Sequence, residues 1–299
     1  MAANQKQKLW ALGFVIVAGN FVGSCGAAQT LEPLTRPIAN HLDWSRPHSI
    51  GKMTQSDGKL SNNKLSADRY AAPLSVKSDN YDEFYNRGNT NVRQGRYEAA
   101  IADYTEAIRI NPNRSEAYSN RGHAYSRQGN EEAAIADYSS AIRLNPNGYR
   151  AYFNRGNRYF AQQKYAPAIA DYTAVIRINP NYHQAYYNRG NTYSAQGEYN
   201  AAIADYTASL RINPNEAAAH YNRATAYFQQ KQYAAAIADY DAVIRLEPND
   251  YRSYLRRGAS HMQQGNLAQA KQDAEVAQRL ACGRDDRACG MATRLFNAL

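Results

Sequence analysis

The stretch AIADYTEAIRINP at residues 100–112 decides the fold, because the chain repeats it. AIADYSSAIRLNP follows at 134–146, AIADYTAVIRINP at 168–180, AIADYTASLRINP at 202–214 and AIADYDAVIRLEP at 236–248. A degraded copy, AKQDAEVAQRLAC, occupies 270–282. Each copy starts 34 residues after the one before it. Upstream of each lies Asn-Arg-Gly, ending at Gly88, Gly122, Gly156 and Gly190, which becomes Asn-Arg-Ala at Ala224 and Arg-Arg-Gly at Gly258. A fixed period of this length marks stacked helix–turn–helix units.

Six units follow in phase: 81–114, 115–148, 149–182, 183–216, 217–250 and 251–284. Positions within each are numbered 1–34. A repeated unit that bears tyrosine accounts for 25 Tyr beside 7 Phe and 2 Trp in 299 residues. A charged fraction of 20% and a mean hydropathy of −0.71 exclude a polytopic membrane protein. Three cysteines exclude a disulfide-framework scaffold. A net charge of +9 permits an acidic partner without demanding one.

The pattern resembles the tetratricopeptide repeat family over 81–284. That resemblance implies an all-α fold: a right-handed superhelical solenoid of antiparallel helix pairs. Helix A is expected at positions 2–14 and helix B at 18–31. Gly95, Gly129, Gly197 and Gly265 at position 15 turn the chain between them. Across such a hairpin, facing positions sum to about 30–32. The position-4 aromatic therefore meets a small or β-branched residue at position 27, and Gly or Ala at position 8 makes room for Tyr at position 24. Large faces small at each layer, as close packing requires. Pro at position 32 stops helix B, and Arg at position 29 complements its dipole.

One pair departs from the family's usual pattern. Position 7 is always Arg (Arg87, Arg121, Arg155, Arg189, Arg223, Arg257), where the family is usually apolar. Position 23 is always Asp (Asp103, Asp137, Asp171, Asp205, Asp239, Asp273). Seven and twenty-three make thirty, so structural ion pairs across each hairpin are expected. A ligand-binding charge ladder is the functional alternative.

The ends of the array differ from its middle. Asn80 and Glu83 fit an N-cap with its capping-box partner. Lys271, Ala274 and Gln278 replace apolar residues in the sixth unit, as terminal repeats do. Residues 285–299 carry Met291, Ala292, Leu295, Phe296 and Leu299 at helical spacing, which reads as a C-terminal capping helix. Cys282 and Cys289 are expected to pair as a disulfide in an oxidising compartment; two free buried thiols are the alternative.

The N-terminal 79 residues read differently. Residues 1–24 join Lys6 and Lys8, an apolar run at Leu9–Gly19 and small residues, as a secretory signal does. Val22-Gly23-Ser24-Cys25 resembles a bacterial lipobox, which implies lipidation at Cys25 and, with Gly26 next, the outer membrane. Plain cleavage after Ala28 and an uncleaved anchor remain open. Each reading places the body outside the cytoplasm, in the cell envelope. Residues 25–79, with Pro33, Pro37, Pro47 and Pro73 and no sustained apolar period, read as a disordered tether.

No phosphate-binding loop, zinc-protease motif, nucleophile elbow or Cys-x-x-Cys occurs, and the six histidines are scattered. His220 and His261, at core positions, read as packing substitutes. The sequence therefore points to a non-enzymatic scaffold, with no cofactor, metal or small-molecule substrate. No basic stripe with interleaved aromatics appears, so nucleic acid is not expected.

The function expected is a protein-interaction module that takes a peptide or protein segment. The alternative is an architectural or regulatory accessory subunit of an envelope enzyme or assembly machine. In the family, positions 2, 5, 9, 12 and 13 of helix A line the concave groove. Here that implies Tyr85, Asn89, Arg93, His123, Arg127, Phe153, Asn157, Phe160, Tyr187, Asn191, Tyr221 and Phe228. Rings there would take side chains, and Asn would donate to and accept from a peptide backbone. Chaperone-binding members hold a C-terminal carboxylate with Lys at position 5. No Lys stands there, so no clamp of that kind is expected.

Overall fold

The computed structural model describes residues 80–283 and 285–297; the expected signal, Cys25 and the expected tether lie outside them. The described residues form thirteen helices and no strand, in two compact units, 80–144 and 145–297. The chain is an all-α solenoid of helix pairs. In the first unit α1 (Tyr81–Arg93) pairs with α2 (Tyr97–Ile110), and α3 (Ser115–Gln128) with α4 (Glu131–Leu144). In the second, α5 (Tyr149–Ala161) pairs with α6 (Tyr165–Ile178), and α7 (His183–Ala195) with α8 (Tyr199–Ile212). There α9 (Ala217–Gln229) also pairs with α10 (Tyr233–Leu246), and α11 (Tyr251–Gln263) with α12 (Leu267–Ala281). The last helix, α13 (Asp286–Asn297), lies on α12. First helices begin at position 1 and second helices at position 17, one residue ahead of the sequence expectation.

The core is thin and periodic. Ala100, Ala134, Ala168, Ala202, Ala236 and Ala270 at position 20 are fully buried, as are the rings of Tyr104, Tyr138, Tyr172, Tyr206 and Tyr240 at position 24. Each such ring lies flat on the first helix of its own pair. A Cβ at Gly88 would stand 2.7 Å from Tyr104 Cε1, and one at Gly190 would stand 2.9 Å from Tyr206 Cε1. That contact is why position 8 is kept small.

The turn between paired helices needs one residue with positive φ. Gly95, Gly129, Gly197 and Gly265 supply it at +72°, +83°, +79° and +81°. Gln163 and Lys231 adopt the same conformation at +58° and +61°, because the hairpin geometry imposes it whatever the side chain. A left-handed L-residue costs about 1–2 kcal/mol. Gln163→Gly and Lys231→Gly are each expected to stabilise the protein by about 0.5–1 kcal/mol, after allowing for glycine's greater unfolded entropy. Urea midpoints read the change; equal or lower midpoints would contradict it.

Both ends are solvated by substitution. Position 3 is Glu83 in the first repeat and exposed, but Ala117, Ala151, Ala185 and Ala219 in the next four, where it is buried. Position 10 likewise is exposed Thr90 in the first repeat and buried Ala124 in the second. Asn80 Oδ1 accepts the Asp82 N–H at 3.0 Å and caps α1. At the other end α13 buries Ala288, Ala292 and Leu295. Tyr251 Oη donates to Asp285 Oδ2 at 2.7 Å, and Cys282 is disulfide-bonded to Cys289. Closing so short a loop contributes about 2–3 kcal/mol.

Candidate binding groove

Within each unit successive first helices touch, α1 to α3, α5 to α7 and α7 to α9. The first helices therefore form the inner face, and their exposed residues line it.

Three of these inner-face contacts contain the same polar array. In the first unit Asn89 Oδ1 accepts from Tyr104 Oη at 2.8 Å and from Asn120 Nδ2 of the next repeat at 2.9 Å. Asn120 Nδ2 also donates to Tyr85 Oη at 3.0 Å. In the second unit Asn157 Oδ1 accepts from Tyr172 Oη at 2.8 Å and from Asn188 Nδ2 at 2.9 Å. Asn191 Oδ1 accepts from Tyr206 Oη at 2.7 Å and from Asn222 Nδ2 at 2.9 Å. A further bond runs from Asn222 Nδ2 to Tyr187 Oη at 3.0 Å. Position 9 is thus bonded inside its own repeat through Tyr at position 24, and to the next repeat through Asn at position 6.

This geometry corrects two expectations. The position-9 asparagines do not offer an acceptor: both lone pairs of Oδ1 are used. With Oδ1 occupied, each of these asparagines has only Nδ2 left to offer, and the Asn191 side chain also bonds Tyr187. The position-5 rings are not all open to a ligand either. Phe153 is 5% exposed and Tyr187 is 7% exposed. They pack 6.0 Å from the Tyr172 and Tyr206 ring centroids, so they belong to the core. Tyr85 and Tyr221 are half-buried and lie against Tyr104 and Tyr240 in the same way.

The remaining groove candidates are spread along the inner side. Phe160 and Phe228 are half-buried and pack at a steep angle against Tyr165 and Tyr233 of the following helices. Arg93 is exposed, His123 is half-buried, and the Arg127 guanidinium sits 5.3 Å from the Tyr97 ring centroid. In the sixth repeat the polar array changes, since Arg256 replaces Asn and bonds Tyr221, while Thr225 Oγ1 lies 3.2 Å from Tyr240 Oη.

Every position-7 arginine reaches its position-23 aspartate. Arg121, Arg155, Arg189, Arg223 and Arg257 are bidentate, at 2.6–2.9 Å. Arg87 places Nε and Nη2 on one oxygen of Asp103, and Asn91 Nδ2 takes the other at 2.7 Å. All six aspartates are buried. Hydrogen bonding to the carboxylate raises the guanidinium pKa of Arg121, Arg155 and Arg189 above its ordinary value. The third donor, Nη1, reaches back one repeat: Arg121 to Thr105 at 3.0 Å, Arg189 to Thr173 and Arg223 to Thr207 at 2.9 Å, and Arg257 to Asp241. Sequence reasoning missed that inter-repeat link and the role of Asn at position 6. Both residues recur every 34 positions, which was the available signal. It also missed that His220, besides packing, bridges Asp239 Oδ1 at 2.9 Å and the Pro214 carbonyl at 3.0 Å.

Burial raises the phenol pKa of Tyr172, Tyr206 and Tyr240 well above its usual value, with neighbouring groups contributing less. The folded chain keeps these phenols neutral, whereas the unfolded chain releases their protons near pH ~10. Their stabilisation is full below about pH 10 and is lost as pH rises through the folded values. Melting temperatures are expected to fall as pH rises from 10 to 12, with a shallower slope in Tyr206→Phe; an unchanged slope in that variant would refute the assignment.

Family models described as TPR repeat match residues 88–129 and 156–197. Others described as Tetratricopeptide repeat match 115–147, 187–250 and 221–284. Together they span 88–147 and 156–284, more than half of the chain. The chain belongs to the tetratricopeptide repeat family. Solved tetratricopeptide structures share its fold. YrrB, described as a TPR protein with an unusual peptide-binding site, is 19% identical; the match covers 64% of this chain and 97% of YrrB, with a TM-score of 0.58. PilF of Pseudomonas aeruginosa is 18% identical over 72% of this chain and 96% of its own, with a TM-score of 0.60. The C-terminal part of a TPR repeat-containing protein from Cytophaga hutchinsonii is also 18% identical, over 72% and 95%, with a TM-score of 0.61. At these identities the likeness shows the fold alone. No curated protein matches the chain.

Proposed function

We propose that this tetratricopeptide protein is a non-enzymatic interaction scaffold of the bacterial cell envelope, and that its inner face holds an extended peptide or protein segment. The observation that carries the reading is the donor row. Asn157 and Asn191 lie one repeat apart, each with Oδ1 engaged inside the array, which leaves Nδ2 as the side chain's remaining polar group for a ligand. An extended segment exposes backbone carbonyls along its length, and a regular row of amide donors suits them. The half-buried rings of Phe160, Tyr221 and Phe228 flank that row with apolar surface for its side chains. The envelope assignment rests on the sequence of residues 1–25. YrrB's described peptide-binding site is consistent with the groove, on a shared fold.

The test keeps the Oδ1 contacts of the array. Asn157→Asp and Asn191→Asp preserve the Oδ1 acceptor for Tyr and Asn while replacing the Nδ2 donor with an acceptor. Peptides selected against the wild-type protein by display are expected to bind the double variant at least about 10-fold more weakly, from two lost hydrogen bonds and carbonyl repulsion. Unchanged helicity with unchanged affinity would move the site off the inner face.

A further inference from the structure

The first helices of the second unit carry no acidic residue. Neither Asp nor Glu occurs in α5, α7, α9 or α11, yet Arg150, Arg158, Arg252 and Arg256 lie on them in addition to the position-7 arginines. The surroundings of Arg256 are distinctive. Position 6 is Asn86, Asn120, Asn154, Asn188 and Asn222 in the first five repeats and becomes Arg256 in the sixth. The arginine takes over the contact made one repeat earlier: Asn222 donates to Tyr187 Oη, and Arg256 bonds Tyr221. Arg252 lies over the same ring, its guanidinium carbon 5.8 Å from the Tyr221 centroid. Two guanidiniums thus share one tyrosine. The Asp250 carboxylate balances Arg252 and is fully used, with Oδ1 accepting from Arg252 Nε at 2.7 Å and Oδ2 from Ser253 Oγ at 2.6 Å. Glu216, at the preceding repeat junction, is held by His183 and Ser209. The groups that act on Arg256 are Tyr221 and Tyr240, with no carboxylate among the described residues.

A cation that gives up hydration without gaining a counter-charge is costly. Asparagine makes the same tyrosine contact without that cost, as Asn222 does. What arginine adds here is charge and spare N–H donors, since a guanidinium has five, on a residue that is half-buried and so still reached from solvent. Complementarity across an interface then asks for an anion, and a carboxylate matches the planar guanidinium best. The inner face runs on past Arg256, because α11 touches α13. A bound segment therefore passes the arginine and meets it with a side chain. We infer that the segment held on the inner face of the second unit is acidic, and that one of its Asp or Glu side chains pairs with Arg256 beside Tyr221. This rests on the groove reading and adds to it the charge of the partner and the repeat junction at which that charge is read.

Random peptides displayed on phage and selected on the full chain test it. The recovered sequences are expected to be enriched in Asp and Glu. A selected peptide, synthesised with an amidated C-terminus, is expected to bind Arg256→Asn about 10-fold or more weakly than the wild type, with a gap that narrows as salt rises. The variant installs the residue that the other five repeats carry at this position, so the array keeps its tyrosine contact; circular dichroism checks that helicity is unchanged. Replacing the acid of the peptide by its amide is expected to abolish the difference between the two proteins. Peptides that weaken on Asn157→Asp with Asn191→Asp, yet bind Arg256→Asn as tightly as the wild type, overturn this inference and leave the groove reading standing. Peptides indifferent to every one of these variants overturn both. Binding that requires a free C-terminal carboxylate, and not the side-chain acid, also overturns the inference.

Discussion

Tyr206→Ala is expected to destabilise the unit formed by residues 145–297 by about 4 kcal/mol, the range for deleting a buried aromatic side chain. The ring is 1% exposed. It rests on the α7 backbone at Gly190, where a Cβ would come within 2.9 Å, and it packs on Tyr187. Removal opens a cavity that a backbone without a side chain cannot collapse into. It also takes one of two partners from Asn191 Oδ1, so the link from the fourth repeat to the fifth loses its near end. Tyr206→Phe separates the two effects: it keeps the ring and removes only the hydrogen bond, at about 1 kcal/mol. Stability in a repeat array is a sum of local and nearest-neighbour terms. Amide protection in α7 and α8 should therefore fall before that in α5 and α6. A loss below about 1 kcal/mol for Tyr206→Ala would show that the site repacks and that the ring is not the keystone of its layer.

The second large effect belongs to the ion pairs. Arg189→Ala is expected to cost about 3 kcal/mol, because it leaves the buried Asp205 carboxylate without its counter-charge. Arg189 donates twice to that carboxylate and once to Thr173 of the preceding repeat, so both the hairpin and the repeat interface weaken. Removing Asp205 as well takes away the uncompensated charge. The double variant Arg189→Ala with Asp205→Ala is therefore expected to lose less than the two single losses added, by at least about 1 kcal/mol. Thr173→Val isolates the inter-repeat bond and costs about 1 kcal/mol. Urea titrations of the four proteins decide the matter, and strict additivity would mean that the carboxylate and guanidinium do not stabilise each other.

The inter-repeat bonds explain a departure from the family's habit. An apolar residue at position 7 packs a hairpin but cannot reach back along the array. Arginine satisfies a buried aspartate in its own hairpin and still has one nitrogen for Thr or Asp at position 25 of the neighbour. With alanine-rich cores offering little apolar area per layer, polar links of fixed geometry hold the stacking angle.

The sequence by itself determined that the chain is a stack of helix pairs, where each pair begins and ends, and which residues face each other inside a pair. Those features depend on local periodicity: a 34-residue repeat sets the helix lengths, and two antiparallel helices joined by a short turn leave one register, so Arg189 had to meet Asp205. The tertiary structure alone decided what happens between one pair and the next. Whether Tyr187 is a groove ring or a core ring depends on how far the next repeat rotates over it. The same rotation sets whether Asn191 turns its oxygen to Asn222 or to a ligand. That angle is a balance among many side chains on two neighbouring units, and no single periodicity encodes it. The positive φ at Gln163 and Lys231 has a similar origin, since hairpin closure imposes the conformation there without the glycine that would have announced it.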